Sequence, residues 1–440
     1  TVLPFGTNQQ IDCCPEVEAL MSEVEPEVGK NGPESNEEPL PPQYTPVEQD
    51  AVAESTKDEV ILSEEEKTPE SEPKKEVETP QAVDDVSLEQ EPAPTVPVRT
   101  RRKHHDEDET SDKWKNHNKH VFILSWAGRP IYTRYGDEAN QSSLMGVFSG
   151  VISLVADGDD EVKYIRAGKM VLVFKCMGPI WLASACSTGE PVEIVEQQLV
   201  ALHSQIISIL TNQIHVMLDR KPQLDIRNLL GGTDKYLDRL VSWTSNEPAY
   251  LLNSIHAFRL PFTARVQIST TLSKFRHDGV YFAILLAGGR LVQLLRPKSH
   301  ILGPPDLHLL INFVERTDTF RENEAWAPIC LPQFSPNAYL HQYVHYLDSE
   351  VALLLLSSNP NDFEGLSACR ASIHESLTST GLMDLVNNFL PLQQYTVADC
   401  EVRNLRHFLF KSLNRSQMTM PTFTAPYHTQ PMRKRLMRLY

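Results

Sequence analysis

KHVFILSWAGRPIYTRY, residues 119–135, decides the reading of this chain. The apolar run from Val121 to Trp126 has strand character, Ala127-Gly128 supplies a tight turn, and Pro130 to Tyr135 reads as the returning strand. The pattern recurs without a gap: Val121-Phe122-Ile123-Leu124 falls on Phe282-Ala283-Ile284-Leu285, and Gly128-Arg129 on Gly289-Arg290. A helix-like run follows each copy, Ser143 to Val155 and then Asp306 to Val314. Internal repetition of this kind means that the folded part is built from copies of one small module.

Working outward, the first module (118–212) continues with strands at Glu161–Arg166, Met170–Lys175 and Pro179–Ala185, punctuated by Gly168 and Gly178. An amphipathic helix follows, with Val195, Leu199, Leu202, Ile206 and Ile209 at spacings of three and four. Two strands, a helix, three strands and a helix predict an antiparallel sheet with helices packed on a face. Residues 213–277 read as a helical linker, with helices at Ile214–Asp219 and Ile226–Val241 and an amphipathic run at Ile255–Leu272. The second module (278–392) repeats the order of elements. From 393 to 440 a third begins, with a hairpin from Leu405–Lys411 and Ser416–Met420 and a helix from Met432. A lone hairpin is marginal in water, so this module reads as incomplete.

Composition divides the chain sharply. Residues 1–100 carry 25 of the 58 acidic residues and 6 of the 41 basic ones, so the formal charge of −17 belongs to this segment. With 14 prolines there and few aromatics, it cannot bury enough apolar area to offset its ordering entropy, and 1–117 reads as a disordered acidic tail. Ser63, Thr110 and Ser111 beside acidic clusters are candidate phosphosites, and Arg99–His105 is a short basic patch. Seven cysteines form no CxxC pair. Cys176, Cys186 and Cys330 sit in strand-like runs as small core residues, which fits a reducing cytosolic setting. No run approaches the roughly 18 apolar residues of a membrane span, and no signal peptide is apparent.

Chemistry-bearing motifs are sparse. Gly231-Gly232-Thr233 and Gly288-Gly289-Arg290 lack phosphate-loop spacing, and the latter is better read as a hairpin turn. His104-His105 lies among charges in the tail, and His341 and His345 share a strand face without a completing ligand. No serine stands in a nucleophile elbow. No metal, cofactor, nucleic acid or bond-making reaction is expected. Surface recognition remains. Ile131, Tyr132 and Tyr135 on the first hairpin, with Leu144, Met145 and Phe148 on its helix, are candidate interface residues. The bland alternative, that all six are core, stays open. Arg290, Arg296 and Lys298 read as a basic cluster for anionic lipid or an acidic partner, or as a solvated face.

The hairpin with SSLMGVFSGVISLV after it resembles the SAND/Mon-one family of vacuolar fusion proteins. So do RKPQLDIRNLLGGTDKYLD (220–238), LVQLLRPKSHILGPPDLHLLINFV (291–314) and AWAPICLPQFSPNAYLHQYVHYL (325–347). The resemblance implies three longin modules, each an α/β fold of five strands with flanking helices, the third stopping here in its first helix. It further implies pairing with Ccz-one in a guanine-nucleotide exchange factor for the late-endosomal GTPase Rab-seven. Recruitment from the cytoplasm to endosome and vacuole or lysosome membranes would involve Rab-five and phosphoinositides. The six hairpin and helix residues would then form the GTPase platform. A non-catalytic longin adaptor or a lipid-binding scaffold is the alternative.

Overall fold

The computed structural model describes residue 107 and residues 109–440, apart from 157, 159 and 318. Ser63 and the Arg99–His105 patch lie outside the described residues. The elements in order are α1 (Asp112–Lys115), β1 (Lys119–Ser125), β2 (Pro130–Thr133), α2 (Ser142–Ala156), β3 (Tyr164–Ala167), β4 (Met170–Met177), β5 (Ile180–Cys186) and α3 (Val192–Leu210). Next come α4 (Gln213–Arg220), α5 (Asp234–Asn246), α6 (Pro248–Leu251), β6 (Ile255–His256), α7 (Phe262–Lys274), β7 (Val280–Ala287), β8 (Arg290–Leu295), α8 (Pro304–Glu315) and α9 (Thr319–Glu322). The chain closes with β9 (Ala325–Leu331), β10 (Ser335–Asp348), β11 (Val351–Ser357), α10 (Phe363–Ser379), α11 (Leu382–Phe389), β12 (Phe410–Ser412), β13 (Gln417–Thr419) and α12 (Gln430–Met437).

The repeat governs topology. The first sheet has the order β2-β1-β5-β4-β3 and the second β8-β7-β11-β10-β9, so the two are the same antiparallel arrangement. The shared turn glycines explain why the hairpins align. Gly128 (φ 75°) and Gly289 (φ 69°) both occupy left-handed backbone that a side chain disfavours. At Gly289 a Cβ would also run into the Glu315 carboxylate.

Helices cover both faces of each sheet, where the sequence pattern suggested one. In β1, Val121 and Ile123 face the core under α3 and α5, while Phe122 and Leu124 face the core under α2. In β7, Ala283, Leu285 and Ala287 point to one core and Phe282, Ile284 and Leu286 to the other. Strands buried on both faces need continuous apolar runs rather than alternation, and that is what Val121–Leu124 and Leu353–Leu356 supply.

The helical segment after the first module is part of that module's core. Ile214, Leu218, Ile226, Leu230, Leu237 and Leu240 share an apolar cluster with Val121, Ile123 and Leu199. The helix expected over Ile226–Val241 begins at Asp234, because Leu230–Gly232 forms turns in which Gly232 has φ 78°. The run expected over Ile255–Leu272 is likewise broken. Ile255–His256 is extended, and Pro261, which has no N–H to donate, sits at the N-cap of α7.

The two modules are closely joined. Cys330 of β9 enters the first module's cluster. The buried Asn312 amide donates to Gln205 Oε1 (2.8 Å) and to the Tyr236 carbonyl (3.1 Å), and the Tyr339 hydroxyl donates to the Ile209 carbonyl (2.9 Å). The third hairpin, β12–β13, is shorter than its sequence suggested. It is completed by parallel pairing with β6, Gln417 opposite Ile255 and Met418 opposite His256. The adjoining Phe258 N–H donates to the Leu291 carbonyl (2.9 Å), so residues 255–258 also cover the edge of β8.

Candidate functional site

The six hairpin and helix residues do not form one patch. Ile131 and Tyr132 lie in the core beneath α3 and α5, whereas Met145 and Phe148 lie on the opposite side of the sheet beneath α2. All four are buried, so in this conformation they build the module and do not contact a partner. Tyr132 is fully enclosed; its hydroxyl donates to Asp238 Oδ1 (2.6 Å), which also accepts from Arg134 (2.7 Å). Burial, then the neighbouring Asp238 charge, pushes the Tyr132 phenol far above its usual range, so it stays a neutral donor that pins α5 to β2. Phe148 packs between Phe122 and Phe174 at ring separations of 5.2 and 6.0 Å. Tyr135 is half-buried and stacks on His117 at 3.6 Å, and half-buried Leu144 packs on the α2 core.

The exposed apolar surface of this module consists of other residues. On α2, Val147 (60% exposed) and Leu154 (76%) face solvent with the exposed Gly150 between them. Spacings of three and four from 147 to 150 to 154 place them in one stripe, opposite the buried Met145, Phe148 and Ile152. None of the fifteen residues of α2 carries a charge. A helix that presents uncharged, partly apolar side chains to water on its outer face has the composition of an interface. The absence of charge was the sequence signal that would have found it.

Beside α2 lies an open sheet edge. Every residue of β3 is exposed, and among the described residues β3 pairs only with β4. Tyr164, Ile165 and Met170 present large apolar side chains there, with Lys163, Arg166 and Lys169 interspersed. The half-buried Val162 and Leu172 pack on the same apolar cluster as α2, which makes the helix stripe and the hairpin neighbours. Unpaired N–H and C=O groups on such an edge are a template for adding a strand from another chain.

The basic residues separate too. Arg290 opens β8 and Arg296 follows its last residue, about 20 Å apart at the rise of an extended strand. Arg290 is half-buried at the hairpin, whereas Arg296 and Lys298 are exposed on the following loop. Arg296 donates to the His300 carbonyl (3.0 Å) and so braces that loop. The three therefore do not act as one cluster. Ser111 caps α1 by accepting from the Trp114 N–H (3.2 Å), and the Thr110 carbonyl accepts from Lys115. Among the described residues no three His, Cys, Asp or Glu side chains converge as metal ligands, and none of the described helices is long and apolar enough to cross a membrane.

Comparison with known proteins places these modules. Residues 119–240, 278–375 and 404–440 match the family models of the first, second and third Longin domains of FUZ, MON1 and HPS1. The chain is 35% identical to the chicken (Gallus gallus) vacuolar fusion protein MON1 homolog A over 338 residues, 76% of this chain and 62% of the relative. It is 34% identical to Protein SAND of Takifugu rubripes over 357 residues, 80% of this chain and 68% of the relative. The chain belongs to the MON1/SAND family. An Arabidopsis thaliana MON1 homolog is 32% identical over 77% of this chain and 60% of its own length. The chain thus spans about three-fifths of the chicken and plant relatives. Family membership assigns the two five-stranded sheets to longin domains one and two, and the hairpin with α12 to a short match of the third.

Proposed function

We propose that this chain acts in vacuolar fusion trafficking as a longin subunit whose first domain docks a second longin protein through α2 and β3. The observation that carries the reading is the uncharged outer stripe of α2, with Val147 and Leu154 in solvent, beside the open β3 edge. A homologous partner would bring its own edge strand and helix, so that sheet and helix layers both continue across the contact. On the family's pattern the partner is Ccz-one and the joint surface acts on Rab-seven as a guanine-nucleotide exchange factor. Rab-five and a phosphoinositide-bearing membrane would recruit the complex from the cytoplasm.

Exchange needs no acid, base or metal supplied by this chain. A nucleotide held at about nanomolar affinity represents roughly 12 kcal/mol, and a factor accelerates its release only by binding the nucleotide-free or switch-displaced GTPase more tightly. Binding area and shape are sufficient for that.

The test is release of fluorescent GDP from Rab-seven by the full chain co-purified with Ccz-one. The reading predicts acceleration of at least about 100-fold by the pair, lost in Val147→Asp/Leu154→Asp together with partner binding. A stable complex that binds Rab-seven without accelerating release would leave a non-catalytic adaptor. Undiminished pairing in the double variant would remove α2 from the interface.

A further inference from the structure

Two histidines face each other across the corner between α3 and α4. His203 Nε2 and His215 Nε2 lie 2.9 Å apart, with ring centroids 5.1 Å apart and ring planes tilted by 35°. His203 is buried on α3. His215 is half-buried on α4 beside the β4–β5 turn, where a Cβ on Gly178 would sit 3.6 Å from His215 Nδ1. Between the two histidines runs a corner that is bonded to the second domain. The Ile209 carbonyl accepts from the Tyr339 hydroxyl (2.9 Å), and the Asn212 N–H donates to the Pro336 carbonyl (2.9 Å).

A neutral imidazole carries one proton on its two nitrogens. Two Nε2 atoms at 2.9 Å therefore share one proton, one ring donating and the other accepting through its lone pair. Burial holds both rings below the usual 6.5, His203 at about 4, so both are neutral at pH 7. The donor ring can carry its proton at Nδ1 instead, which turns both Nε2 lone pairs towards one point without changing the charge. Tetrahedral zinc, bound at about 2.0–2.1 Å, places two ligating nitrogens about 3.3 Å apart, so an opening of about 0.4 Å makes the pair two ligands. Helical spacing puts the exposed Asp219 one turn from His215 on the same face of α4, and its charge favours a cation there. That carboxylate and water are available for the remaining positions.

We infer that His203 and His215 form a two-histidine site for a nitrogen-preferring divalent cation such as zinc, with Asp219 as its outer carboxylate. Imidazole suits zinc, copper and nickel, whereas magnesium and calcium take oxygen ligands. Bound there, the ion would lock α3 to α4 across the corner at 209–212 and so stiffen the joint between the first and second longin domains. α3 and α4 pack on the face of the first sheet opposite α2. Val147→Asp/Leu154→Asp should therefore leave cation binding intact, which keeps this site independent of the proposed docking surface.

The experiment follows thermal unfolding of the full chain, first stripped with a chelator, in zinc chloride against magnesium chloride at equal ionic strength. Zinc should raise the melting temperature saturably and magnesium should not. His203→Gln and His215→Gln should each weaken the apparent zinc affinity at least about tenfold, since even partners of metal ligands are worth that much. Asp219→Asn should weaken it by a smaller factor. His104→Gln/His105→Gln, which removes the adjacent pair in the tail, should leave the shift unchanged. Cobalt(II) gives an independent readout, a visible absorption band present in the full chain and lost in His215→Gln. No zinc-specific shift, or an equal shift in His215→Gln, overturns the site. A shift lost only in the His104→Gln/His105→Gln variant identifies an adventitious ion only and overturns it as well. The half-buried His215 decides the matter if His203→Gln fails to fold.

Discussion

Tyr132→Ala and Phe148→Ala should each lower the unfolding free energy by about 3–5 kcal/mol, the usual range for emptying a buried aromatic site. Leu154→Asp should change it by less than about 0.5 kcal/mol, as expected for an exposed position without special contacts. Tyr132 has no exposed surface and pins α5 to β2 through Asp238; Phe148 fills the space between Phe122 and Phe174. Tyr132→Phe separates the two contributions. It keeps the ring, and Asp238 keeps its ion pair with Arg134, so about 1–2 kcal/mol should be lost with the hydroxyl. Urea unfolding checks all four. A Leu154→Asp protein as unstable as Phe148→Ala would mean that the outer stripe of α2 is covered within the domain itself. The comparison also guards against misreading: loss of exchange in a Tyr132 or Phe148 variant would report unfolding rather than a docking surface.

Acidification should destabilise the protein by several kcal/mol between pH 7 and pH 4. His120, His203 and His308 are buried, and burial drives each from the usual 6.5 down to about 4. The unfolded chain therefore takes up protons below pH 6.5 that the fold refuses until about pH 4. Stability is present above 6.5 and lost as pH falls through that window, by roughly 3 kcal/mol for each histidine. Asp306 works in the opposite sense. Burial raises it from 3.8 to about 6 despite the Gln333 and Phe334 N–H groups it accepts, so its contribution improves by about 3 kcal/mol as pH falls through 6. The sum is a net loss of about 6 kcal/mol, a large part of the stability of a typical domain. Unfolding free energies at pH 7, 6 and 5 test this, and His308→Gln should flatten the slope by about one-third of the histidine contribution. A stability that rises from pH 7 to pH 5 would contradict the assignment.

How much of this was legible in the sequence depends on the range of the interaction. The repeat of Val121–Gly128 on Phe282–Gly289 was visible because a hairpin with a glycine turn is local, and both copies became equivalent central strands. The continuous apolar runs already implied two covered faces, though helix order alone suggested one. The two-residue strand β6 was not legible, since its partners Gln417 and Met418 are far along the chain and no local pattern marks it.

The proposed docking surface was only partly legible. Size and aromaticity on the hairpin and α2 selected Ile131, Tyr132, Met145 and Phe148, which fill the core. Tyr132 and Phe148 are large because they pack; Val147 and Leu154 were passed over because they look ordinary. What separates them is the helical phase relative to Met145 and Ile152, together with the missing charges on the face turned to water. The basic cluster failed for a simpler reason, that six positions of extended chain carry Arg290 and Arg296 too far apart to share a ligand.

The most direct test of the proposed docking surface is hydrogen–deuterium exchange of the full chain, alone and in complex with the proposed partner longin subunit. The account predicts slowed exchange over residues 142–170, covering α2 and the β3 edge, with the β8 edge and its 255–258 strap unchanged. Protection elsewhere, with 142–170 exchanging as in the free chain, would contradict it.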